Sequence, residues 1–105
     1  MIRTRIMATG ACVPEQIITN DDLAKIMDTS DEWISSRTGI RQRHIAVEET
    51  TASMSTEAGR RALESAGVKA EELDLIIVAT CSAEYLLPNC ACQVQSELGA
   101  SAAVA

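Results

Sequence analysis

Apolar positions recur every four residues in two stretches of the chain, as they do on one face of an amphipathic helix. The first stretch predicts a helix over Thr51–Ala66, and Gly67 would end it. Its recurring apolar positions are Met54, Ala58, Ala62 and Ala66. The second stretch predicts a helix that Asn89 caps and Gly99 ends. Its shared face consists of Cys90, Val94 and Leu98.

Longer apolar runs predict strands on either side of these helices. Leu73–Cys81 is apolar almost throughout, which is typical of a central parallel strand covered on both faces. Ala102 begins a further predicted strand, and Arg3–Cys12 predicts a first one before the turn at Pro14. Because helix alternates with strand, we predict an open α/β sheet with a right-handed crossover. Chain ends are usually polar, so the apolar end leads us to expect a piece of a larger domain.

Two shorter helices and an extended piece are predicted between the first strand and the long helix. Asn20 is expected to cap a helix over Asp21–Met27. Thr29 has the S/T-x-x-E spacing of a capping box, which predicts a second helix that Gly39 ends. Residues 41–46 are predicted to be extended.

Composition narrows the class of protein. A hydrophobic fraction of 47% in 105 residues excludes a disordered chain. The formal net charge of -6 argues against a general nucleic-acid binder, which needs a basic face. No apolar run approaches the roughly 20 residues that cross a bilayer, and the N-terminal sequence does not resemble a secretory signal. We therefore expect a soluble, cytoplasmic protein with neither nucleic-acid nor membrane partners.

The cysteines are predicted to be free thiols without a metal or catalytic role. Cys12 and Cys81 are isolated, while Cys90 and Cys92 lie two apart on a predicted helix, where their side chains point away from each other. Zinc sites need wider spacers and more ligands. A nucleophilic thiol needs a base, and nothing in the sequence pairs His44, the only histidine, with a cysteine. Small buried hydrophobes are the expected role.

One pair of residues suggests ligand binding. Trp33, the only tryptophan, lies four residues before Arg37 on a predicted helix, so the two share a face. An indole and a guanidinium can stack on a purine, and the guanidinium can also bind phosphate. A purely structural Trp–Arg contact is the more frequent alternative. Arg41, Arg43 and His44 extend the basic patch, either toward phosphate or an acidic partner or into exposed ion pairs with nearby acids.

The stretch Asp28–His44, which reads D-T-S-D-E-W-I-S-S-R-T-G-I-R-Q-R-H, closely resembles β-ketoacyl-acyl-carrier-protein synthase III, the initiating enzyme of type II fatty-acid synthesis. Further matching segments are Thr9-Gly10, Val13-Pro14-Glu15, Thr19-Asn20-Asp21, Ile77-Val78-Ala79-Thr80 and Ala91-Cys92-Gln93-Val94-Gln95. The resemblance covers essentially the whole chain. It implies a thiolase-like αβαβα layered fold of two related halves. Residues 1–105 would be the N-terminal part of the first half, ending before the catalytic cysteine.

The resemblance also implies substrates, partners and site residues. The family condenses an acyl-CoA with malonyl-acyl-carrier protein through an acylated cysteine, usually as a homodimer, with coenzyme A thioester as substrate and no further cofactor. The positions of Trp33 and Arg37 line the coenzyme A site in this family, with Thr29 and Thr38 beside them. Leu87 falls where the family reaches toward the partner's acyl pocket at the dimer interface. Leucine at that position leaves the acyl-chain preference open.

No residue of the chain matches the family's catalytic cysteine, histidine or asparagine. We expect these residues to lie beyond Ala105, so the 105-residue chain alone should be inactive. Two alternatives stay open. The chain could be a truncated, non-catalytic remnant that at most binds coenzyme A or a partner subunit. It could also derive from a related starter synthase of polyketide or specialised acyl metabolism.

Overall fold

The computed structural model describes residues 3–105, which fall into two compact units. The smaller unit is Val13–Glu48, and the larger one consists of residues 3–12 together with residues 49–105. No helix among the described residues is long and apolar enough to cross a membrane.

The smaller unit is built on a short antiparallel pair of strands and on the two helices that lie between these strands in sequence. Strand β1 (Ile17–Thr19) pairs antiparallel with β2 (Gln42–His44), which confirms the extended segment predicted over residues 41–46. Helix α1 (Asn20–Ala24) follows β1 directly, and α2 (Asp31–Thr38) precedes β2. The polar helices and the strand pair thus enclose a small, mostly hydrogen-bonded interior.

Helix α1 begins one residue earlier and ends three residues earlier than predicted. Thr19, not Asn20, is the N-cap, because its hydroxyl accepts the Asp22 amide at 3.2 Å while the Asp22 carboxylate accepts the Thr19 amide at 3.1 Å. This reciprocal pair is a capping box. The displaced Asn20 is inside the helix, and its side chain is buried.

Helix α2 also begins one residue away from the predicted cap. Ser30, not Thr29, is the N-cap, since the Ser30 hydroxyl accepts the Trp33 amide at 3.1 Å. Gly39 ends the helix as predicted, with φ of +73° and its amide bonded to the Ser35 carbonyl at 2.8 Å. Glycine adopts this left-handed conformation without the penalty that a Cβ imposes.

The larger unit contains the two amphipathic helices, and both match the prediction. Helix α3 (Thr51–Ala66) has a capping box from Thr50, and α4 (Cys90–Leu98) is capped by Asn89, whose side chain accepts the Cys92 amide at 2.8 Å. The two helices pack against each other around a small apolar core. The buried core residues are Ala52, Cys90 and Val94, with Ile76, Val78 and Leu98 packed against them.

The predicted central strand over Leu73–Cys81 is covered on one face only. Ile76 and Val78 pack on the core, whereas Leu75 and Ile77 are 57% and 79% exposed. Pairing is limited to a parallel bridge between Leu75 and Val104, flanked by two backbone hydrogen bonds of 2.9 Å. The prediction of a long strand buried on both faces is therefore wrong for the described chain, and the strand predicted from Ala102 is reduced to this bridge. The parallel direction of the two segments is confirmed.

The first predicted strand, Arg3–Cys12, has no strand partner among the described residues and is not a strand. This segment instead lies along α3. Gly10 approaches the helix so closely that a Cβ there would be 2.2 Å from the Ala58 carbonyl oxygen. Arg61 of α3 donates to the Ala11 carbonyl at 2.8 Å. The prediction of a strand here is therefore wrong: Ile6 and Met7 are exposed, and an apolar pattern alone cannot supply hydrogen-bonded neighbours.

Candidate functional site

Trp33 and Arg37 form a stacked pair on the surface of α2. The Arg37 guanidinium carbon lies 4.7 Å from the centre of the indole, within the range of a cation–π contact. Trp33 is 55% exposed in spite of this contact. The shared face predicted from the four-residue spacing is therefore confirmed, and the pair presents an aromatic surface beside a positive charge.

Two shallow clefts lie against Trp33. The first, of about 330 Å³, is bounded by Trp33 together with Asp28, Thr29 and Ser30. The second, of about 300 Å³, is bounded by Trp33 and Arg37 together with polar residues of α2 and its cap. Thr29 thus borders the same cleft as the indole, and its predicted contact with coenzyme A stays a prediction. A flat group stacked at the indole would have polar neighbours in both clefts.

Thr38 is less available to a ligand. Its hydroxyl donates to the Ile34 carbonyl at 2.8 Å and accepts the Ile40 amide at 3.1 Å, so it joins the last turn of α2 to the residues after it. It lines neither of the clefts beside Trp33. The geometry gives Thr38 a role at the helix end, and its predicted place beside the ligand stays a prediction.

The rest of the basic patch divides into exposed and internal groups. Arg41 is exposed and lies 3.6 Å from the Asp31 carboxylate, a loose surface ion pair that contributes little stability. Arg43 points inward and donates to the Asn20 side-chain oxygen at 2.7 Å and to the Ile18 carbonyl at 3.4 Å. His44 places Nδ1 2.5 Å from the Pro14 carbonyl, so Nδ1 carries the hydrogen. Arg37 and Arg41 are therefore the arginines available to an anion.

Asn20 is a central residue of the smaller unit that the sequence analysis interpreted only as a cap. Its side chain is 1% exposed. The amide nitrogen donates to the Asp31 carboxylate at 2.7 Å and to the Ile40 carbonyl at 2.8 Å, and the amide oxygen accepts from Arg43. These partners are 11 to 23 residues away in sequence, so no local pattern could have revealed them.

Leu87, in the larger unit, is 87% exposed and precedes α4. The Leu87–Pro88 peptide bond is cis. A groove of about 420 Å³ in this unit is lined by Ile76, Ile77, Tyr85, Leu86 and Cys90 among others, but not by Leu87. Leu86, which no sequence pattern distinguished, is even more exposed than Leu87 and borders the groove.

The cysteines are free thiols in the structure, but the expected burial holds for Cys90 alone, because Cys81 is exposed and Cys12 and Cys92 are half-buried. Cys90 is buried in the core, and this burial raises the pKa of its thiol, which lowers its reactivity. The described residues hold no group of three or more side chains suited to a metal ion. The ring of His44 is bonded to backbone at Pro14, in the smaller unit, and Cys81 is the one cysteine that is exposed.

No protein-family model matches the chain, but it is similar to curated proteins of known name. Over 100 residues the chain is 52% identical to the β-ketoacyl-[acyl-carrier-protein] synthase III of Clostridium acetobutylicum. Over 97 residues it is 55% identical to the protein of the same name from Escherichia coli K12. The chain is a relative of the β-ketoacyl-acyl-carrier-protein synthases III. These alignments cover 95% and 91% of the chain but 31% of each relative, so the chain spans about a third of the length of these relatives.

Solved structures agree with the sequence match. The crystal structure of a 3-oxoacyl-[acyl-carrier-protein] synthase III from Aquifex aeolicus superposes with a TM-score of 0.93 at 50% identity, covering 96% of the chain and 33% of that protein. The priming β-ketosynthase of the R1128 polyketide pathway superposes with a TM-score of 0.91 at 39% identity, covering 95% of the chain and 30% of that protein. The chain thus has part of the thiolase-like α/β fold of these condensing enzymes, which confirms the predicted fold class.

Proposed function

We propose that the chain is part of a synthase III that condenses an acyl-CoA with malonyl-acyl-carrier protein, and that its smaller unit binds the adenine end of coenzyme A. The observation that carries this proposal is the exposed, stacked Trp33–Arg37 pair, within a sequence 52% identical to a synthase III. An exposed indole held by a guanidinium is a ready platform for a purine with phosphates.

In this proposal each exposed group contacts a different part of the ligand. The adenine stacks on the indole of Trp33, and stacking of a base on an aromatic side chain contributes about 1–3 kcal/mol. Arg37 and Arg41 attract the phosphates, and Thr29 borders the cleft next to the ring. Thr38 acts from the end of α2. Coenzyme A thioester is then a substrate, with no separate cofactor.

The remaining parts of the proposal concern the whole enzyme. We place Leu87 at a homodimer interface, reaching toward the partner's acyl pocket, because its side chain is exposed just before α4. Acyl-carrier protein is the second partner, and the cytoplasm is the expected location. The acylated cysteine would come from outside these 105 residues. The burial of Cys90 and the backbone bond of His44 support that assignment.

A related function is the second candidate. The R1128 priming β-ketosynthase is similar to the chain over 95% of its length, so a starter synthase of polyketide synthesis would fit the same fold. Both candidates use the same kind of chemistry and differ in the acyl group accepted. A panel of acyl-CoA substrates on the complete enzyme would distinguish them: preference for acetyl-CoA favours fatty-acid synthesis, and preference for longer starters favours the polyketide role.

The adenine proposal can be tested directly because Trp33 is the only tryptophan. We expect coenzyme A and adenosine 3′,5′-bisphosphate to quench its fluorescence on titration, and pantetheine, which lacks the adenine, to leave it unchanged. Arg37→Ala should weaken quenching. Arg60→Ala, the same change at an exposed position on α3, is the matched control and should have no effect. Equal quenching by pantetheine would contradict adenine binding at Trp33.

A further inference from the structure

The side chain of Asn20 connects the two ends of the helix that carries Trp33 and Arg37. Asp31, which accepts one hydrogen of the Asn20 amide at 2.7 Å, is the first residue of α2. The Ile40 carbonyl, which accepts the other at 2.8 Å, follows the Gly39 cap. An asparagine amide has only two donor hydrogens, and here one goes to the first residue of α2 and the other to the residue after its cap.

The same side chain also joins α2 to the strand pair. Its oxygen accepts from Arg43 of β2 at 2.7 Å, and Arg43 also donates to the Ile18 carbonyl of β1. The backbone amide of Asn20 bonds the Arg41 carbonyl at 3.2 Å. The group is 1% exposed, so water cannot substitute for a lost partner. Helix α2 therefore has a fixed position relative to both strands.

We propose that Asn20 is a positioning residue for the Trp33–Arg37 site: by holding Asp31 and Ile40 together it sets the direction in which α2 presents the stacked pair. This inference rests on the proposed adenine site for its functional meaning. Asn20 itself touches no ligand, since its polar atoms are all engaged within the smaller unit. Trp33 is two residues from Asp31, so movement of that end of the helix moves the indole.

The test is Asn20→Asp in the full chain. The substitution keeps the shape of the side chain but replaces both donors by a carboxylate that faces the Asp31 carboxylate and the Ile40 carbonyl. Loss of buried hydrogen bonds of this kind weakens what they hold by about tenfold. We expect the affinity for adenosine 3′,5′-bisphosphate to fall by about that factor. Acrylamide quenching of Trp33 without ligand should change as well.

Asn89→Asp is the matched control, because it makes the same chemical change at the cap of α4, where aspartate is an equally good cap. It should leave both Trp33 readouts unchanged. The double variant Asn20→Asp with Asp31→Asn exchanges donor and acceptor across one of the two bonds. Because the reversed pair can form again, we expect it to recover much of the affinity and of the wild-type quenching. If Asn20→Asp acted only by making the protein less stable, adding Asp31→Asn would not restore the affinity and the quenching.

The outcomes separate this inference from the proposed function. If acrylamide quenching changes in Asn20→Asp, positioning by Asn20 is supported. If the wild-type chain binds no nucleotide, the adenine site is contradicted, whatever the quenching shows. Wild-type quenching and wild-type affinity in a folded Asn20→Asp overturn the inference and leave the adenine site standing. If Asn20→Asp does not fold, the double variant is measured instead. Wild-type nucleotide affinity and acrylamide quenching in the double variant support positioning. A folded double variant whose values differ from those of the wild type overturns it.

Discussion

At the scale of single residues, the Trp33 indole is exposed because its surroundings on α2 are polar and offer no apolar pocket to cover it. The contact with Arg37 restrains the ring and contributes about 0.5–1 kcal/mol at an exposed site. A restrained ring loses little conformational freedom when a ligand stacks on it. The pair is therefore better suited to binding than a free surface tryptophan.

Because the restrained indole is expected to bind adenine, loss of Trp33 should weaken the binding of acyl-CoA more than that of malonyl-acyl-carrier protein. In a synthase III that contains this segment, Trp33→Ala should raise the KM for acyl-CoA by roughly 5- to 150-fold, the equivalent of about 1–3 kcal/mol of lost stacking. The KM for malonyl-acyl-carrier protein should change much less, because that substrate does not bring an adenine. Trp33→Phe, which keeps an aromatic face, serves as the control. Its KM for acyl-CoA should lie between the values of the wild type and of Trp33→Ala. Equal increases for both substrates would refute stacking at Trp33.

The capping box at Thr19 predicts how the smaller unit responds to acid. The ion pair with Lys25, followed by the hydrogen bonds from Thr19, holds the pKa of Asp22 well below its usual range. A carboxyl group with a lowered folded-state pKa stabilises the fold above its unfolded pKa of about 3.9, and this stabilisation is lost as the pH falls toward the folded value. The unit should therefore lose stability below about pH 4.

Urea unfolding followed by Trp33 fluorescence at several pH values measures this response. Asp22→Asn should flatten the fall in stability below about pH 4, because the titrating group has been removed. Asp21→Asn is the control, since it removes the same charge at the adjacent position outside the capping box. Identical pH profiles for the two variants would mean that the Asp22 carboxylate is not the cause of the acid response.

At the scale of elements, two glycines predict opposite effects of the same substitution. Gly10→Ala would force a Cβ against the Ala58 and Ala62 backbone at 2.2 and 2.6 Å, so the first segment must move away from α3. Overpacking of this kind costs about 1–3 kcal/mol. Gly59→Ala, inside α3, meets only Leu98 at 3.4 Å and should gain about 0.5–1 kcal/mol of helix stability. Thermal unfolding should show a lower Tm for the first variant and an unchanged or higher Tm for the second.

The elements that the sequence predicted correctly are those whose formation depends on residues close by in the sequence. Helices α3 and α4 depend on four-residue periodicity and on caps within four residues, and both have the predicted bounds. The caps of α1 and α2 were wrong by one residue, because two candidate cap residues stand side by side in each place. Strands depend on distant partners, so Arg3–Cys12 and Leu73–Cys81 could not be assigned from their own pattern.

The candidate site divides in the same way. Trp33 and Arg37 were predictable because residues four apart on a helix are neighbours. The roles of Arg43 and Asn20 were not predictable, because they depend on a hydrogen bond between two side chains that are 23 residues apart in sequence. A buried amide and a cap residue look alike in sequence, since asparagine favours both turns and helix starts. Only the fold shows that the buried Asn20 side chain links α2 to β2 by hydrogen bonds.

At the scale of the whole molecule, the larger unit exposes a large part of its apolar surface. The exposed large apolar side chains of this unit include Ile77, Leu86, Leu87 and Val104. Apolar surface of this extent promotes association between chains. We expect the isolated chain to self-associate at micromolar concentration and to bind a hydrophobic dye.

Ile77 and Val78 offer a matched test of that expectation, because they are adjacent but face opposite ways. Ile77→Lys adds a charge to the exposed face, so it should reduce self-association in sedimentation velocity and leave the Tm nearly unchanged. Val78→Lys places the same charge against the α3–α4 core and should destabilise the unit by several kcal/mol. If both variants associate like the wild type, the exposed face of this segment is not the site of association.

If the chain is part of a synthase III, as proposed, acyl transfer should need residues that the 105-residue chain does not supply. The isolated chain should transfer no acyl group from acetyl-CoA, because its one histidine bonds backbone and its core cysteine is buried. The Escherichia coli enzyme carrying this chain in place of the matching 97 residues should be active, since more than half of those residues are identical and the fold is shared. Trp33→Ala in that chimera should raise the KM for acetyl-CoA, as argued above. An active isolated chain would show that the catalytic groups lie within it, and an inactive but folded chimera would show that this chain cannot take the place of the matching part of the enzyme.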